Sequence, residues 1–226
     1  MREDFRGFLH IILIETFNFR PESFGAIFLF QKGVFIMKNK SNYTNKQKLQ
    51  RLTTAGVLAA LSLVLMVTIR FPIFPSAPFY EMEFADVPIL VCSAVLGPVY
   101  ALVSLFVVCL VQTLTVSASS GIIGFLMHFL SSGLMILTLC FIKKKISGIK
   151  GTIISGICGV IVVVLVMIPM NIWLTSVFMN LDFNAFIKGF LGVCVAFNLI
   201  KAGGNVIIYN LIAPVVLKEY KKIFKN

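Results

Sequence analysis

The sequence predicts an all-α integral membrane protein of six transmembrane helices with both termini in the cytoplasm. Three observations carry this. The chain is 58% hydrophobic and only 13% charged, about half the charged fraction of a soluble domain. Its mean hydropathy is +0.97. The basic residues behind the net charge of +11 sit at the ends of apolar runs, where they act as topology signals rather than as a nucleic-acid surface.

Residues 1–36 stand apart. Phe8–Phe17 and Phe24–Ile36 are apolar but fall short of the roughly 20 residues that a span needs. Glu3, Asp4, Glu15 and Glu22 interrupt them, and no secretory leader pattern is present. Met37 opens a sequence that reads as an ordinary start, Met37-Lys38-Asn39-Lys40. The expectation is a non-native extension over 1–36 or, alternatively, an interfacial amphipathic anchor.

Residues 37–51 form a basic tail with Lys38, Lys40, Lys46, Lys48 and Arg51, expected in the cytoplasm. The membrane domain is expected over 52–217. Span one, Leu52 to about Ile69, contains Ala55-x-x-x-Ala59, overlapped by Gly56-x-x-x-Ala60, small residues that let another helix approach closely. Phe71 to Glu83 holds three prolines and four aromatics, which suits a stiff, extended lid at the outer face. Glu81, Glu83 and Asp86 follow as outer-face acids; Asp86 is placed to cap the helix beginning Val87-Pro88.

Span two, Val87 to Leu96, ends at Gly97-Pro98. Span three runs from Val99 to about Val116. Span four, Ile122 to Ile142, carries His128, either a helix-to-helix hydrogen bond or a ligand contact. Lys143-Lys144-Lys145 should be cytoplasmic. Span five, Gly151 to about Leu174, contains Pro169 and Asn171; the proline loosens the backbone hydrogen bonding beside the asparagine. Thr175 to Ala185 is expected as an external loop. Span six, from about Phe190 to Leu217, holds Phe197-Asn198-Leu199-Ile200-Lys201, and residues 218–226 close the chain as a cytoplasmic basic tail. Six spans put every basic cluster on one side.

An amide and an amine three residues apart share a helical face. Inside an apolar run they belong against a protein interior, a cavity or a bound molecule. Lys201 lies about 16 residues from the basic tail, too deep to snorkel to that interface at about 1.5 Å per residue. Asn171, Asn198 and His128 fall in the outer halves of their spans, so they converge with Lys201 beneath the proline-rich loop on a small-molecule pocket. The five cysteines lie singly in apolar runs and read as small buried hydrophobes. No Walker-type glycine loop occurs. The spans hold one histidine and no acid beyond Asp86 at an edge, which argues against a membrane enzyme and an ion-driven carrier. A structural membrane subunit without a ligand is the remaining reading of another class.

From about Lys48 to the C-terminus the chain resembles the S components, the substrate-binding membrane subunits, of energy-coupling-factor vitamin transporters, and more narrowly the riboflavin-specific ones. The resemblance rests on Ala55-x-x-x-Ala59, Phe84-Ala85-Asp86-Val87-Pro88-Ile89-Leu90, Gly97-Pro98, Pro169-Met170-Asn171 and Phe197-Asn198-Leu199-Ile200-Lys201. It implies a six-helix S-component fold in the cell membrane, working with a transmembrane coupling subunit and two ATPase subunits and with no catalysis of its own. It implies riboflavin as transported substrate, with no resident cofactor or metal. Asn171, Asn198 and Lys201 would contact the flavin, beside His128 and Asp86. Phe79 and the rest of the proline-rich loop would cover it, and Ala55 and Ala59 would meet the coupling subunit.

Overall fold

The computed structural model describes residues 43–223. The expected extension over 1–36, the native start expected at Met37 and the first part of the basic tail fall outside the described residues. The remainder of the tail is largely helical: α1 (Asn45–Thr68) begins inside it with a capping box in which Thr44 Oγ1 accepts from Gln47 N and Thr44 N donates to Gln47 Oε1.

A two-stranded antiparallel ribbon follows, β1 (Arg70–Pro72) with β2 (Glu81–Glu83), in the register Arg70 to Glu83 and Pro72 to Glu81. It is a small addition to a chain that is otherwise helical, as expected from the sequence. The proline-rich loop, expected to be extended, is so only at its two ends, which fold back and pair; between them it turns, with Ala77 N donating to Phe74 O and Tyr80 N to Ala77 O, each at 3.0 Å. α2 (Asp86–Leu96), α3 (Pro98–Leu114), α4 (Gly121–Lys145) and α5 (Gly148–Met170) come next. A π-helical turn, Asn171–Thr175, then runs into α6 (Ser176–Met179). α7 (Phe183–Ile223) ends the described chain. The expected external loop of Thr175 to Ala185 therefore shrinks to Asn180–Asp182, with Asn180 in the left-handed region at φ 52°. The expected C-terminal tail is helical as far as Ile223.

Four of these segments are long and apolar enough to cross a membrane, and α2 and α3 are shorter apolar helices. α2 lies at the centre. Asp86 to Ser93 are all buried, with α1, α3, α4 and α7 packed around them. A helix this short and apolar on every side is stable only when enclosed. It stops at Gly97, whose φ of 94° is open to glycine alone at low strain, and Pro98 starts α3. Arg51 ties α1 to this turn: Nη2 donates to Leu96 O at 2.5 Å and Nη1 to Tyr43 Oη at 2.9 Å. α5 packs between α4 and α7 through glycines, with Gly156 against Val206 and Gly159 against Met135. Val57, Val64, Val103, Leu165, Leu211 and Val215 are exposed on the outer faces of the helices, where lipid rather than water suits them.

Candidate functional site: a lidded cavity with an internally paired floor

A cavity of about 130 Å³ lies between the β1–β2 ribbon and the helices. Asn171, Asn198, Lys201, His128 and Phe79 all line it. Asp86 lies just below, on a smaller second cavity shared with Asn198, Lys201 and Asn205.

Each polar group is placed by a local feature. Pro169 supplies no N–H to its helix, and the π turn follows directly. Asn171 opens that turn, 1% exposed, its Nδ2 donating to Met167 O at 2.7 Å. Its Oδ1 accepts from Tyr80 Oη at 2.7 Å and Thr175 Oγ1 at 3.1 Å. Asn198 is oriented by Nδ2 donating to Cys194 O at 2.8 Å. Lys201, one turn on, donates from Nζ to Glu83 Oε1 at 2.9 Å, so it is held inside the protein as its depth in the apolar run required.

Glu83 changes the picture drawn from sequence. Expected among solvated outer acids, it is 1% exposed. The ribbon carries it inward onto Lys201, and Gln112 Nε2 donates to both of its oxygens at 3.1 and 3.2 Å. Burial alone would raise the Glu83 carboxyl; Lys201 and His128 outweigh that and hold it below the usual range. Asp86 also departs from expectation. It is the first residue of α2 rather than its cap, and no side-chain cap bond forms. Its carboxylate instead meets His128 Nε2 at 3.0 Å, accepts from Ser132 Oγ at 2.5 Å and from Asn205 Nδ2 at 3.4 Å. Of the two alternatives for His128, the helix-to-helix hydrogen bond is the one present. It bridges Asp86 on α2 and Gln112 Oε1 on α3, and it lines the cavity.

Sequence reasoning thus missed Glu83, Gln112 and Tyr80. Gln112 was open to the rule that found Asn198, a polar amide inside an apolar run. With Glu83 included, two carboxylates, a histidine and an amine do gather at one depth, so the scarcity of acids is not what separates this chain from an enzyme. Among the described residues no three His, Cys, Asp or Glu side chains are grouped so as to hold a metal ion.

Phe79, Tyr80 and Phe197 form the aromatic side of the cavity, with Tyr80 stacked on Phe197 at a centroid distance of 4.6 Å. On α1, Ala55 is 5% exposed and packs into the chain's own core, with Ala59 half-buried beside it. Gly56 and Ala60 are exposed. The open small-residue strip is therefore displaced by one residue from Ala55-x-x-x-Ala59, because Ala55, Ser62 and Met66 mark the helix's inward face.

A membrane-type helical fold around a lidded cavity of amides, paired charges and aromatic rings defines a small-molecule-binding membrane protein. Residues 50–213 match the family described as "ECF transporter, substrate-specific component", and the chain belongs to that family, whose members are transporter subunits rather than enzymes. It is 28% identical over 166 residues to the riboflavin transporter RibU of Streptococcus thermophilus (strain ATCC BAA-250 / LMG 18311), covering 70% of this chain and 77% of that one. It is 27% identical over 126 residues to the riboflavin transporter FmnP of Bacillus subtilis (strain 168), covering 55% of this chain and 65% of the relative's length. Among solved structures it resembles one described as "Structure and mechanism of the S component of a bacterial ECF transporter", with a TM-score of 0.68 and 27% identity over 77% of this chain and 99% of that one.

Proposed function

We propose that this chain is the subunit that captures riboflavin outside the cell membrane for an energy-coupling-factor transporter. Supporting this, its relatives carry the name riboflavin transporter, and Asn171, Asn198 and Lys201 face one cavity. That convergence is the observation that carries the reading. A flavin ring edge presents carbonyls and an imide N–H; amides read both, and an ammonium meets a carbonyl. Phe79, Tyr80 and Phe197 offer walls for the ring faces.

In this reading the four long helices and the shorter α2 and α3 together make six membrane segments with both chain ends in the cytoplasm, and the ribbon lies outside as a lid. The cavity is smaller than the roughly 300–1,000 Å³ usual for small-molecule sites. Loading therefore moves lid side chains, Tyr80 first, since its hydroxyl occupies Asn171. A transmembrane coupling subunit docks on the α1 face bearing Gly56 and Ala60, with Ala59 at its edge, and two ATPase subunits drive release inward.

The test is purification in detergent from flavin-replete cells. The expected result is yellow protein with riboflavin near one per chain, and about tenfold or greater loss of affinity in Asn198→Ala and Lys201→Met, the scale of one lost polar contact to a buried partner. Colourless protein that also ignores added riboflavin would sink the flavin assignment and move the search to another vitamin.

A further inference from the structure

Among the described residues, six acidic and basic side chains surround the cavity and its floor, and they resolve into three pairs. Arg70 pairs with Glu81 at the mouth. Lys201 pairs with Glu83 at 2.9 Å. His128 pairs with Asp86 at 3.0 Å. The charge on His128 follows from its neighbours. Gln112 Nε2 faces the two Glu83 oxygens, so its Oε1 is the atom turned to His128 Nδ1. Reversing the amide would set its oxygen against a carboxylate. Nδ1 therefore faces an acceptor, and Nε2 faces Asp86 Oδ1. A ring that donates at both nitrogens is an imidazolium. The wall thus holds three cations against three anions.

Resting on the flavin reading above, we infer that Glu83 is a specificity-determining residue: by neutralising Lys201 it makes the site select a neutral ligand edge and reject an anionic one. A charged ligand loses hydration on entering such a cavity and regains it only from an unmatched opposite charge. Here each cation already has its anion. The wall still offers donors, since an ammonium has three N–H bonds and one is directed at Glu83. Among the described residues, Arg70 Nη1 has no hydrogen-bond partner. Donors without net charge suit carbonyls and hydroxyls.

The groups facing the Lys201–Glu83 pair are His128 of α4, Asp86 of α2 and Arg70 of β1, with Cys109 of α3 facing His128. The experiment compares wild type, Glu83→Asp and Glu83→Gln, purified full-length in detergent, by quenching of riboflavin fluorescence from neutral pH through ionisation of the ring imide. Wild type and Glu83→Asp should lose affinity as the imide ionises. Glu83→Gln should bind neutral riboflavin about tenfold more weakly and gain affinity through the same ionisation, because Lys201 then meets the anion unopposed. A Glu83→Gln curve parallel to wild type overturns the inference. A ligand-free arm compares melting of Glu83→Gln, Lys201→Met and the double variant. Each single change strands a buried charge, so the double should melt above either single, and additive losses overturn the pairing. Wild type that binds no flavin sinks the uptake reading and leaves the melting arm to decide this one.

Discussion

Tyr80 sets its hydroxyl 2.7 Å from Asn171 Oδ1 and is almost fully buried. Burial raises its phenol above the ordinary value, so it remains a hydrogen-bond donor at any physiological pH. It holds an acceptor that the proposed ligand also needs. Tyr80→Phe keeps the ring on Phe197 and releases that acceptor. Riboflavin association by stopped-flow quenching should then quicken about fivefold, the equivalent of roughly 1 kcal/mol for one net hydrogen bond. An unchanged or slower rate would show that the lid is held elsewhere. Legibility at this scale divided by segment. Asn171, Asn198 and Lys201 stand out because polar groups in apolar runs need a reason. Glu83 sits in a stretch whose composition reads as surface, and its burial comes from contact with a lysine 118 residues away, which no local pattern encodes.

The helices were legible where punctuation is strong. Gly97-Pro98 ends α2 as expected, and Pro169 heralds irregular backbone, although the form it takes, a π turn leading into α6, depends on packing. The paired ribbon was hidden because three-residue strands carry too few residues for alternation to register. Helix contacts make a sharper prediction. A Cβ on Gly156 would lie 2.5 Å from Val206 Cγ1, and one on Gly159 2.4 Å from Met135 Sδ. Valine is stiff at χ1, while a thioether swings aside. Gly156→Ala should therefore destabilise by about 1–3 kcal/mol. Gly159→Ala should come out near neutral, since alanine's helix preference of about 0.5–1 kcal/mol offsets the shift of Met135. Thermal melts in detergent test the order; a larger loss at Gly159 would refute the packing account.

At the scale of the molecule, α1 presents two overlapping small-residue strips, and sequence could not tell which faced outward. Periodicity is identical for both, and only the position of α2 decides. Ala55→Leu should lower the melting temperature, overfilling a packed core by about 1–3 kcal/mol. Gly56→Leu, with nothing within 4 Å of its Cβ position, should leave riboflavin binding in detergent intact and abolish uptake by whole cells. Retained uptake in Gly56→Leu would remove this face from the proposed docking surface.

α7 is one unbroken helix of 41 residues, about 60 Å long at the helical rise, roughly twice the thickness of a bilayer's hydrocarbon. Asn198 and Lys201 sit near its middle, and Lys218, Lys221 and Lys222 near its end. Taken as a rigid rod it would pivot about the cavity, with Pro214 the point between Lys201 and Ile223 where the backbone hydrogen bonding is weakened. A tilt of about 5° at Lys201 carries Ile223, about 33 Å further along, through about 3 Å. A displacement of that size at the lysine-bearing end would be on the scale needed to make or break a charge contact.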